Sequence, residues 1–105
     1  KHHKLAVGTI EAFIGMSEKT PIVITHHAPS FKSMDPQYAS PAHHLVNGAY
    51  MSSLEDLVER TKVWCHGHLH YKNFYEIGDA TVMCNPVGYY SYEGVIADTR
   101  MTVTV

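Results

Sequence analysis

Two short apolar runs, each ending in histidine, constrain this chain more than any other feature. Ile22-Val23-Ile24-Thr25 leads directly into His26-His27, and Val63-Trp64-Cys65 leads into His66-Gly67-His68-Leu69-His70. Runs rich in β-branched and aromatic residues, bounded by breakers such as Pro21, read as strands, and residues 22–25 as a buried one. Both strand ends then deliver imidazole, and Gly67 lets the backbone turn freely between two of the rings. In open α/β sheets the edge beyond the strand ends is where ligand sites form. Neutral imidazole nitrogen is also the commonest protein ligand for zinc and similar divalent metals.

The rest of the chain alternates around these runs. Residues 4–16 carry Ala6, Ile10, Phe13 and Ile14 at helical spacing, with Gly8 and Gly15 weakening the pattern. Residues 26–51 hold no clean period, and Pro29, Pro36, Pro41 and Gly48 make them a long irregular loop of the kind that is usually functional. Ser52-x-x-Glu55 reads as a capping box, and Leu54, Leu57 and Val58 share a helical face that should end near Arg60 or Thr61. Residues 73–77 and 81–84 read as a hairpin around Gly78-Asp79 with an aspartate-glycine type of turn, and residues 101–105 as a last strand. The expected class is α/β, one domain or part of one, spanning residues 1–105.

Composition removes several functions. Apolar content of 45% and charged content of 17% belong to a globular chain, not a disordered one. A net charge of −2 gives no electrostatic footprint for nucleic acid or an anionic membrane. No apolar stretch approaches the roughly 20 residues that a membrane span needs. Cys65 and Cys84 both lie in apolar runs and read as buried thiols, which fits a reducing cytoplasm. Nine histidines among 105 residues are the anomaly. His2-His3 and His43-His44 read as solvated surface, His66 as structural, and Trp64 as core. Tyr89, Tyr90 and Tyr92 form an aromatic cluster that either faces a substrate or covers the sheet edge.

Three nitrogens from His26, His68 and His70 suit one ion, since three histidines and a water form a known zinc set. On an extended strand, however, residues two apart lie roughly 7 Å from each other, too far to share a small ion comfortably. The alternative is that His68 and His70 serve different ions of a pair roughly 3.5–4 Å apart. Such a pair requires anionic oxygen ligands. Asp35, Asp56, Asp79 and Asp98 occupy a loop, a polar helix face, a turn and a late loop, and none follows an apolar strand.

The segment from Val23 through His26-His27-Ala28-Pro29-Ser30, followed by Trp64 to His70 and then by Asn85-Pro86-Val87-Gly88-Tyr89, resembles the C-terminal half of a calcineurin-like metallophosphoesterase. The likeness runs from about residue 5 to the end. It implies the C-terminal portion of a four-layer α/β/β/α sandwich. By motif, His26 and His68 resemble ligands of one metal and His70 a ligand of its neighbour. His27 is assigned a part in catalysis through substrate contact or ligand support, with simple packing as the alternative. Asn85 and Gly88 would fix a turn near the site.

The activity implied is metal-dependent phosphoester hydrolysis, in which a dinuclear centre of manganese, iron, zinc or nickel supplies hydroxide and clamps the phosphoryl oxygens. The family's Asp-x-His, Gly-Asp-x-x-Asp and Gly-Asn-His motifs do not occur in this sequence. The chain is therefore expected to be a C-terminal piece of a longer protein or a degenerate relative. Alone, it should bind at most one ion weakly and hydrolyse little. A catalytically incomplete metal-binding or interaction module is the other reading, and a mononuclear three-histidine barrel a third that the helix–strand alternation disfavours. Expected partners are a phosphoester substrate and a second copy of the chain, paired through an exposed sheet edge. Neither membrane nor nucleic acid is indicated.

Overall fold

The computed structural model describes residues 2–16, 18–36, 52–69, 71–86 and 100–104. These residues form a small mixed α/β domain around one four-stranded sheet. Helix α1 spans His2–Met16, strand β1 Ile22–Thr25, and a 3-10 turn Phe31–Ser33. Helix α2 (Glu55–Val58) precedes strands β2 (Val63–His66), β3 (Asn73–Ile77) and β4 (Ala80–Cys84). No helix among the described residues is long and apolar enough to cross a membrane.

The strand order is β1-β2-β4-β3, with β1, β2 and β4 parallel and β3 antiparallel to β4. β2 is central, and Val63, Trp64 and His66 on it are buried. A strand covered on both faces is expected to read as a continuous apolar run, as Val63-Trp64-Cys65 does. The register pairs Ile22 with Val63 and Thr25 with His66. Because the two strands are parallel and end level, His26-His27 and Gly67-His68 emerge side by side at one edge of the sheet.

β1 departs from the expected buried strand. Val23 is buried, but Ile22 and Ile24 are 49% and 78% exposed. Successive side chains on a strand point to opposite faces, and only the Val23 face meets the core. β1 is also an outer strand of this sheet. α1 supplies part of that core through buried Ile14 and half-buried Val7 and Ile10. Phe13 was expected on this face but is 63% exposed, because Val7, Ile10 and Ile14 already hold the inward positions.

Trp64 lies at the centre with no exposed surface, packed among Ile14, Val23, Val58, Ile77, Ala80 and Val82. Its indole Nε1–H donates to Thr25 Oγ1 at 2.9 Å. The Thr25 hydroxyl in turn donates to the His27 carbonyl at 2.8 Å. The core is thus tied by two hydrogen bonds to the loop that carries the first histidine pair.

Three other expectations are corrected. The Ser52–Glu55 capping box does not form. Ser52 N–H donates to Ala28 C=O at 3.0 Å and Leu54 N–H to Pro29 C=O at 2.8 Å, so the chain is held beside the histidine loop and the helix starts only after Leu54. Glu55 instead accepts hydrogen bonds from Ser30 Oγ at 2.9 Å and Ser53 Oγ at 3.2 Å. Residues 101–104 are not a strand, because β propensity alone forms no ladder without a paired neighbour. The hairpin stands, but its turn has a positive φ at Gly78 (58°) and not at Asp79, the pattern of a glycine-first turn.

Candidate metal centre

The two strand-end loops bring three imidazoles together. His26 Nε2 and His68 Nδ1 lie 2.9 Å apart. Ring centroids are 4.8 Å apart for His26–His68 and for His27–His68, and 5.2 Å for His26–His27. One ligand nitrogen from each of His26, His27 and His68 lies within 4.8 Å of the others. His26 and His27 are exposed and His68 is half-buried, so the cluster faces solvent. Alongside it lies an open groove of about 390 Å³ between Val7 and Ile10 of α1 and the His26-His27 loop, with His3 at its border.

The backbone that presents His68 is unusual. Leu69 N–H donates to Gly67 C=O at 2.7 Å, closing a three-residue γ-turn centred on His68. His68 is the only non-glycine among the described residues with a positive φ, at 62°. The left-handed region costs an L-residue about 1–2 kcal/mol. Residues held there against that cost concentrate at functional sites. Gly67 N–H donates to His26 C=O at 3.0 Å, which locks the two histidine loops to each other.

Beneath the cluster sits a second, buried polar group. His66 Nδ1 lies 3.1 Å from Gly67 C=O and its Nε2 2.9 Å from Ser33 Oγ. A carbonyl only accepts, so Nδ1 carries the proton and Nε2 accepts from the Ser33 hydroxyl. Ser33 Oγ is then free to accept from Tyr75 OH, at 2.6 Å. Burial raises the Tyr75 pKa, although hydrogen bonds to Ser33 and Ser30 oppose it, so the phenol stays a donor. Asn73 Nδ2 donates to the Ser33 carbonyl at 2.8 Å. The structural role read for His66 is thus visible, while Ser33 carried no sequence signal of its own.

Burial lowers the His66 pKa below 6.5, against a smaller opposing effect from Gly67. Above pH 6.5 the ring is neutral both folded and unfolded, and it adds no pH dependence. Below that, the unfolded chain gains a proton that the folded ring resists, so stability falls as pH drops toward the folded pKa. Urea unfolding of metal-free protein between pH 7.5 and 5 should show this loss, and His66→Gln should flatten that part of the profile.

Both cysteines are free. Burial pushes the Cys84 thiol up to about 11 and raises that of Cys65. Cys84 donates weakly to Leu69 C=O at 3.6 Å and serves as a packed thiol under the same loop. Glu55 sits below its ordinary pKa. Burial alone would raise it, but its own backbone N–H, the Ser30 and Ser53 hydroxyls and nearby Lys32 together outweigh that effect.

The structure therefore brings together His26 and His68, the two residues assigned to one ion, and adds His27 to them. Among the described residues no carboxylate joins this group. His70, His43-His44, Gly88 and the Tyr89, Tyr90 and Tyr92 cluster lie outside the described residues. Comparisons with family profiles, with curated proteins and with solved structures find no match for this chain.

Proposed function

We propose that this chain contributes the histidine ligands of a metal-dependent phosphoester hydrolase. The observation that carries the reading is the meeting of His26, His27 and His68 from two parallel strand ends, with ligand nitrogens within 4.8 Å of one another. In a tetrahedral zinc site such nitrogens sit about 3.3 Å apart, as metal–nitrogen distances of about 2.0–2.1 Å require. The 2.9 Å between His26 Nε2 and His68 Nδ1 is already close to that spacing. The donor set suits zinc, nickel or iron(II) better than hard ions, which prefer oxygen.

When bound, such ions supply Lewis acidity toward a phosphoryl group and a nucleophile at neutral pH. The protein's own part is positional. Trp64 and Thr25 fix the His26-His27 loop, the Gly67 turn aims His68, and the groove beside them offers space for the ester's organic group. In the four-layer sandwich proposed for the whole site, the present sheet would be one of two facing each other. His70 and aspartates from that other half would complete a second ion's shell. A copy of the chain pairing along β1 remains part of this proposal.

A specific observation favours a second reading. Only imidazoles meet in the described cluster, which is the donor set of a mononuclear metal-binding module. Metal content and turnover of the intact gene product separate the two. We expect two ions per chain and metal-dependent hydrolysis of bis(p-nitrophenyl) phosphate, lost in His26→Ala. One ion per chain without hydrolysis would sink the phosphoesterase reading and leave the module. The isolated 105-residue chain is expected to hydrolyse no faster than the metal salt alone. His27→Ala assigns His27 its role: lost metal affinity marks a ligand, whereas retained affinity with lost phosphate binding marks a substrate contact.

A further inference from the structure

We infer that Ser33, held by Tyr75 and acting through His66, is the positioning residue that sets the geometry of the histidine metal centre. The inference rests on the metal-binding part of the reading above and adds residues that contact no ligand nitrogen directly.

The hydrogen bonds form one directed chain. Tyr75 O–H donates to Ser33 Oγ, Ser33 O–H donates to His66 Nε2, and His66 Nδ1–H donates to Gly67 C=O. That last carbonyl is the acceptor that closes the γ-turn through Leu69 N–H. The relay therefore ends on the peptide that holds His68 at its positive φ and directs Nδ1 toward His26. Gly67 also donates its own N–H to His26 C=O, so both backbone polar groups of this residue are fixed. A turn with an intrinsic cost persists only when its surroundings over-determine it, and this relay is what surrounds it.

Ser33 is placed to couple the loops. It closes the 3-10 turn that follows His26-His27-Ala28-Pro29-Ser30, while its hydroxyl reaches the strand leading to His68 and its carbonyl takes Asn73 from β3. One residue thus ties three segments that converge on the centre. Ser33 and His66 could be mistaken for a nucleophile and its base. Ser33, however, has no exposed surface, and its hydroxyl is already engaged as donor and acceptor, so no substrate reaches it.

Titration with cobalt(II), followed by visible absorption, tests the assignment, because the spectrum at saturation reports the ligand geometry itself. Ser33→Ala should weaken cobalt(II) binding by about 10- to 100-fold, the range found when residues supporting metal ligands are lost. It should also alter the saturated spectrum. Tyr75→Phe removes only one hydroxyl from a half-buried ring and should weaken binding several-fold in the same direction. Should Ser33→Ala fail to fold, Tyr75→Phe decides the matter. Leu57→Ala, in the core away from the centre, should lower the melting temperature but leave the saturated spectrum unchanged. Wild-type affinity and spectrum in both relay variants would overturn the inference while leaving the metal centre intact. Failure of the wild-type chain to bind cobalt(II) or zinc would overturn the metal reading itself, and the inference with it.

Discussion

Replacing His68 with alanine should remove metal binding from this chain almost entirely. The wild-type chain is expected to take up one zinc or cobalt(II) ion, and His68→Ala should weaken that binding by on the order of 100-fold or more, beyond what loss of a supporting residue costs. The same position carries a stability effect of opposite sign. At φ 62° an L-residue is disfavoured, whereas glycine is not. His68→Gly should therefore abolish binding while raising the stability of the metal-free protein by up to about 1 kcal/mol, the left-handed cost less glycine's larger unfolded-state entropy. Calorimetric zinc titration and urea unfolding of both variants check the pair. Full-affinity binding in His68→Ala would show that the cluster is not the binding site. A His68→Gly protein no more stable than His68→Ala would show that the turn is not strained.

Trp64→Ala should produce the largest loss of folding stability of any single truncation among the described residues. Removing a fully buried large aromatic side chain typically costs about 3–5 kcal/mol, transfer and cavity terms together. A whole domain is stable by only about 5–15 kcal/mol, and small ones lie at the low end. The variant should be largely unfolded at 37 °C. Trp64→Phe keeps most of the apolar volume but loses the indole donor to Thr25 Oγ1, and should cost less than half as much. Because Thr25 relays that bond to the His27 carbonyl, Trp64→Phe should also loosen the first histidine loop. Circular dichroism of the two variants against denaturant measures the difference. Equal destabilisation by both would mean that packing volume is not what Trp64 contributes.

Much of the candidate centre is legible in the sequence, because its parts are local. An apolar run followed at once by histidine predicts a strand that ends in a candidate ligand. Gly67 marks the turn, and Gly78-Asp79 marks the hairpin. Other local readings failed where a distant partner overrode them. The Ser52–Glu55 capping box lost to the hydrogen bond between Ser52 and Ala28, and Glu55 went to Ser30. Phe13 fits the helical period of the inward face, yet Val7, Ile10 and Ile14 fill that face first. Residues 101–104 have strand-forming composition but are not in a strand.

The sequence by itself determined which groups this protein can offer: imidazoles at two strand ends as candidate ligands, a tryptophan core behind them, and two free thiols, of which Cys84 is buried as expected and Cys65 only half-buried. Periodicity and composition encode these features over a few residues, which is why they can be read directly. The tertiary structure alone decided that Thr25 and His66 end level, so that His26, His27 and His68 meet. It alone also joined Ser33 to His66 across 33 positions and to Tyr75 across 42. Strand register and side-chain hydrogen bonds over such separations depend on how the whole sheet packs, and no local window of residues specifies them.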